Sequence, residues 1–136
     1  FVIIDFEGEP ARTLGERRLK RSPLRDVAGM VRSFHYAAMT ALRSSGQARP
    51  EGLALLEPWA ELWYAQMAGE FLAAYRQRMD GSRLVPVDDR EFSFLLNAFL
   101  LEKAVYELGY ELNNRPDWIG LPLLGIDMIL KGPETP

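Results

Sequence analysis

The chain has 136 residues, 48% of them hydrophobic and 26% charged, a size and balance that suit one soluble core or a large part of one. A net charge of -3 supplies no basic field for nucleic acid, and the absence of cysteine removes disulfide and thiolate chemistry. The longest apolar run, Phe92 to Leu101, is interrupted by Ser93 and Asn97 and is too short for a bilayer span; with no signal-peptide pattern in the first residues, a cytoplasmic protein is expected.

Phe1 to Asp5 is dense in β-branched and aromatic residues and reads as a strand. A strand that opens the chain with no partner to pair with points to a fragment cut from a larger sheet. Glu7 to Pro23 shows no helical or strand period and reads as a loop carrying Gly8, Pro10, Gly15 and Pro23. Arg12, Arg17, Arg18, Lys20, Arg21 and, just beyond the loop, Arg25 make a locally basic strip. They are either solvated and paired with Glu7, Glu9 and Glu16, or they offer a guanidinium to a phosphate or carboxylate.

Ser22-Pro23 supplies a cap followed by proline at a helix start. Leu24, Val27, Val31, Phe34, Ala38 and Leu42 then recur at three and four, predicting an amphipathic helix that ends at Gly46. A second helix is predicted from Glu57-Pro58 to Asp80-Gly81, with Trp59, Leu62, Trp63, Met67, Phe71, Ala74 and Tyr75 as a core-facing stripe. Asp88 and Glu91 form a capping-box variant that opens the longest helix, Asp89 to Asn114, which Pro116 ends. A short helix from about Leu121 to Leu130 precedes a frayed tail. The expected architecture is mainly α, four helices hung from one strand.

Two constellations carry chemistry. Residues two apart on an extended segment share a side, so Asp5 and Glu7 can face one way while Phe6 faces the other and Gly8 turns the backbone aside. Hard carboxylate oxygens of this kind suit a magnesium ion that also binds nucleotide phosphates, although an acidic turn after a strand is also an ordinary structural feature. On the long helix, Lys103, Glu107, Tyr110, Glu111 and Asn114 line one face with Tyr106 at its margin and Arg115 and Trp118 just beyond. That face is either an exposed one with Lys-Glu pairs or a sugar site, where polar groups meet hydroxyls and aromatic rings meet C–H surface. His35 is the single histidine, which rules out a multi-histidine metal site within the chain and reads as structural. Ser44 and Ser45 have no neighbouring base and give nucleophilic catalysis no support.

Three strings in order go further. Ile3-Ile4-Asp5-Phe6-Glu7-Gly8-Glu9-Pro10, then Ser22-Pro23-Leu24-Arg25-Asp26-Val27-Ala28-Gly29-Met30 with Arg32-Ser33-Phe34, and Glu102 to Leu112 with Asn114-Arg115-Pro116-Asp117-Trp118, resemble the C-terminal part of maltokinases. That family belongs to the aminoglycoside-phosphotransferase-like branch of the protein-kinase-like fold and is often fused to or associated with trehalose synthase. The resemblance covers nearly the whole chain. It implies a partial C-terminal lobe, residues 1–23 giving the metal-binding strand and its loop and 24–136 the helical subdomain.

The implied activity is ATP-dependent phosphorylation of maltose to maltose 1-phosphate for α-glucan synthesis, with Mg²⁺ as the metal and no nucleic-acid or membrane partner. Asp5 would be the metal-binding aspartate and Glu7 its acidic neighbour. Asp26 would brace the catalytic loop without doing chemistry. Tyr106, Glu107, Tyr110, Glu111 and Arg115 would contact the sugar. The ATP-binding lobe and the general base that the family uses are not in these 136 residues, so the fragment alone is expected to be inactive. Two other readings stand beside this one: a kinase of the same fold acting on an aminosugar or amino alcohol, and a non-catalytic docking domain presenting Trp59, Trp63 and Phe71.

Overall fold

A computed structural model of the protein describes residues 13–48 and 50–132, with the side chains of 46–50 left aside. The strand expected at Phe1 to Asp5, the carboxylates of Asp5 and Glu7, Arg12 and the C-terminal tail lie outside the described residues. The described part is helical: α1 (Leu14–Arg18), α2 (Leu24–Ala48), α3 (Leu53–Arg78), α4 (Asp89–Asn114) and α5 (Gly120–Lys131), with 3₁₀ turns at Pro50–Gly52 and Pro116–Trp118. This is the mainly α architecture expected from the sequence.

The first of these helices corrects the loop expected over Glu7 to Pro23. Thr13 accepts from the Glu16 backbone N–H while the Glu16 carboxylate accepts from the Thr13 N–H, a reciprocal cap that closes one turn amid the charges. No residue of α1 is buried, so capping alone accounts for it and no apolar period announces it.

Helix α2 begins as expected, with the Ser22 hydroxyl accepting from Leu24 N–H. It runs two residues beyond Gly46. Helix α3 starts four residues before Glu57, because Leu53 to Glu57 are good helix formers and Pro58, near the first turn, removes a single interior donor. Asp88 caps α4 by accepting from the Arg90 and Glu91 backbone N–H groups at 2.9 and 3.0 Å.

Helix α2 is the centre of the bundle, packed against α3, α4 and α5. Its ties to α4 and the turn after it climb in step along the chain: Arg25 to Glu102, Arg32 to Glu107, Tyr36 to Glu111, and Arg43 to the Asp117 carbonyl. The two helices therefore run parallel, and the short connections make α3 and α5 antiparallel to them. The main core joins Leu24, Val27, Ala28 and Val31 of α2 to Ala68 of α3 and to Phe92, Leu96 and Leu100 of α4. A second cluster of Ala38, Met39 and Leu121 lies further along α2, with Trp118 packed against it.

The stripe expected to bury α3 does so only in part. Phe71 and Tyr75 pack on the core, but Trp59 and Trp63 keep 68% and 44% of their surface exposed. The N-terminal half of α3 is apolar on more than one side, with Leu55 and Leu62 also exposed, so α2 can cover only part of it.

Candidate functional site

The buried residues of α4 follow one ridge, Phe92, Leu96, Leu100 and Ala104, and the same face then continues into Glu107 and Glu111. The matching stripe on α2 passes from Val27, Ala28 and Val31 into Arg32 and His35. Where two apolar stripes turn polar at the same level of a bundle, the charges must find each other, because an unpaired buried charge costs several kcal/mol.

They do so in two linked groups. Arg32, 2% exposed, donates from Nε and Nη2 to Oε2 of Glu107 at 2.9 and 2.7 Å. Its Nη1 lies 3.3 Å from Nδ1 of His35, which makes Nδ1 the acceptor and leaves the proton on Nε2. That Nε2 has no hydrogen-bond partner among the described residues, and the ring stands edge-to-face against Tyr64. Burial, with the Arg32 charge adding to it, holds His35 down to about 4, so the ring is neutral at physiological pH.

One turn further along, Glu111 is buried and both its oxygens are engaged: Tyr36 donates to Oε1 at 3.3 Å, and Arg115 donates from Nη2 to Oε1 and from Nε to Oε2 at 2.7 and 2.9 Å. Burial and the charges of Glu107 and Glu111 push the Tyr36 hydroxyl far up, so it stays a proton donor. Burial raises Glu107, with Arg32 opposing that shift. The two groups meet at Tyr36, whose ring lies 5.6 Å from the Arg32 guanidinium.

The surface end of this seam is Arg115. Held by Glu111, with that hydrogen bond raising its already high pKa, its guanidinium lies 5.6 Å from the Tyr110 ring and 4.8 Å from the Trp118 ring. Arg43 covers Trp118 as well, at 5.5 Å. Tyr110 is 48% exposed. At the margin Lys103 sits over the Tyr106 ring at 4.9 Å.

Of the five residues expected to contact a sugar, Tyr110 and Arg115 therefore open to solvent side by side. Tyr106 and Glu107 are half-buried, and Glu111 faces inward. Asp26 is exposed in the first turn of α2, away from this seam. In the expected basic strip, Arg25 pairs with Glu102 at 3.2 Å. Arg32, Tyr36 and Gly125 belong to the site although sequence reasoning gave them no role. The available signal was register: Arg32 follows Ala28 and Val31 on the buried face of α2, a place where a cation is stable only if an acid meets it.

No group of three or more His, Cys, Asp or Glu among the described residues could hold a metal ion. No described helix is long and apolar enough to cross a membrane. A concavity of about 410 Å³ lies between α2 and α3, lined by Ala37, Ala41, Leu56, Trp59, Ala60 and Trp63; its walls carry little that could orient a polar ligand.

The buried polar seam thus ends, at one end of the helical bundle, in a guanidinium beside two aromatic rings. No protein-family model matches the chain. Over 133 residues it is 26% identical to a glucosamine kinase of Streptacidiphilus jiangxiensis, an alignment that takes in 96% of this chain and 27% of that relative. The chain thus spans 27% of the length of the curated relative it matches, and the similarity is that of a distant kinase homologue.

Proposed function

We propose that this chain is the acceptor-binding helical part of an ATP- and Mg²⁺-dependent sugar kinase, and that its acceptor is maltose, phosphorylated at the anomeric hydroxyl. The observation that carries the reading is the surface formed by Tyr110, Arg115 and Trp118. Arg115 commits Nε and Nη2 to Glu111, and Nη1 takes no part in that fork, so it is placed to donate to sugar hydroxyls. The Tyr110 hydroxyl adds a donor and acceptor, and the indole of Trp118 offers a face to sugar C–H groups. Tyr106 and Glu107, one turn back along α4, are the further proposed sugar contacts. Glu111 serves the site through Arg115, which it orients.

Asp5, with Glu7 beside it, is the proposed magnesium ligand, and Asp26 the proposed brace for a catalytic loop. The metal's chemistry, when bound, is charge neutralisation on the transferred phosphoryl group. ATP use is in keeping with a cytoplasmic setting, and association with trehalose synthase would supply the disaccharide.

Glucosamine is the second reading, favoured by the name of the distant homologue. Hydrogen-bond chemistry favours the disaccharide at this surface: Arg115 Nη1 is a donor, which a hydroxyl oxygen can accept from and an ammonium group cannot. The test is turnover of the intact parent protein with ATP and Mg²⁺ against maltose, glucosamine and an amino alcohol. Maltose is expected to be the substrate with the highest kcat/KM. Turnover of glucosamine alone would replace the acceptor, and absence of phosphoryl transfer to any sugar would end the kinase reading. In the same assay Asp5→Asn is expected to abolish turnover while leaving the fold intact, and retained turnover would remove Asp5 as the metal ligand.

A further inference from the structure

We propose that Arg32 and Gly125 act as a positioning pair for the acceptor surface: Gly125 of α5 leaves a slot into which the Arg32 guanidinium fits, and from that slot Arg32 fixes Glu107 and the Tyr36-Glu111-Arg115 group. This rests on the acceptor-site reading above and goes beyond it, because neither residue reaches the surface where the sugar would lie. The slot is a property of one missing atom. A Cβ at position 125 would overlap Nη1 of Arg32 and stand 2.6 Å from Cζ and 2.7 Å from Nη2.

A long side chain can often swing away from such a clash, but this one is held on every side. Two donors are committed to Glu107 Oε2, Nη1 meets His35 Nδ1, and the Tyr36 ring lies beneath the guanidinium. Moving the guanidinium to admit a methyl group would therefore break its bonds to Glu107 or shift Tyr36. A shift of Tyr36 reaches Glu111 Oε1, the atom that also receives Nη2 of Arg115. Three helices thus converge on one buried cation, and its geometric consequence appears at Arg115, the residue exposed to ligand. Removing a buried ion pair in favour of apolar packing can leave a fold as stable as before, so stability alone does not account for an arginine here.

The experiment uses the intact parent protein and compares Gly125→Ala, Arg32→Lys and the double variant by steady-state kinetics, with thermal melting recorded alongside. Lysine keeps the charge but loses the planar fork that grips Glu107. Each single variant is expected to raise the KM for maltose roughly tenfold while the KM for ATP stays within about twofold, since misplacement of a binding group falls on the substrate it positions. The double variant is expected to be no worse than Arg32→Lys, because the added methyl then has no guanidinium to displace.

An unchanged maltose KM in folded single variants would overturn the proposal, as would equal changes in both KM values, or effects of the two substitutions that simply add. Arg32→Lys melting too low for assay leaves Gly125→Ala to decide by the same criterion. Arg115→Ala separates this inference from the one beneath it. If that variant raises the maltose KM and the Arg32 and Gly125 variants do not, the positioning pair fails and the acceptor site stands; if Arg115→Ala leaves the maltose KM unmoved, the acceptor site itself fails.

Discussion

Arg32 and His35 occupy the stripe of α2 on which Leu24, Ala28 and Val31 are buried. Helical spacing alone shows that a cation falls on the core side there; it does not show which acid answers, because Glu107 lies 75 positions away and only the parallel packing of α2 and α4 brings the two together. Arg32→Ala would leave Glu107, whose side chain is 13% exposed, without its principal partner, and is expected to cost about 3 kcal/mol in urea unfolding. A loss below about 1 kcal/mol would mean that Glu107 finds water or another donor.

His35 makes a prediction of the opposite kind. Its pKa is lowered in the fold to about 4 from 6.5, so the unfolded chain takes up the proton first. The stability that neutral His35 contributes is complete above about pH 6.5 and is lost as pH falls toward about 4. At about 1.4 kcal/mol per pKa unit this loss approaches about 3 kcal/mol. Glu107, raised by burial, works in the other direction over part of the same range. The difference between wild type and His35→Leu, which both contain Glu107, isolates the histidine. That difference is expected to move in favour of the variant by about 2–3 kcal/mol between about pH 7.5 and 4.5, measured by urea midpoints, and a constant difference would show that His35 does not titrate as described.

At the scale of elements, helices are most legible in the sequence where capping and period agree. Helix α4 has an aspartate that captures two backbone donors, an unbroken apolar ridge and a proline beyond its end, and its expected and observed limits coincide. Asp88→Ala is expected to cost about 1 kcal/mol by chemical denaturation, with Asp88→Ser close to wild type; equal losses in both variants would place the effect elsewhere than in the cap. Helix α1 is invisible to periodicity because it has a cap and no buried face. Helix α3 is only half legible, since apolar residues all round its first half give no single face to choose. The exposed Trp59 and Trp63 follow from that ambiguity; they are two of the three residues that the docking reading required, and the third, Phe71, packs on the core.

At the scale of the molecule, the residue types of the candidate site are legible and their division of labour is not. Tyr106, Glu107, Tyr110, Glu111 and Arg115 share a helix face or its end, which sequence spacing reveals. That Glu111 faces inward, accepting from Tyr36 of α2 as well as from Arg115, while Tyr110 and Arg115 face outward, shows only once α2 is packed on α4. Glycine at 125 carries no signal of its own until Arg32 is found against it.

Binding of a kinase's acceptor at the end of α4 and the turn after it is open to measurement through the indole N–H resonances of Trp59, Trp63 and Trp118, assigned in the intact parent protein by single Trp→Phe variants. Titration with maltose is expected to shift the Trp118 resonance saturably and leave those of Trp59 and Trp63 in place. A Trp118 resonance that stays still while maltose is bound, or a response confined to Trp59 and Trp63, would contradict the account.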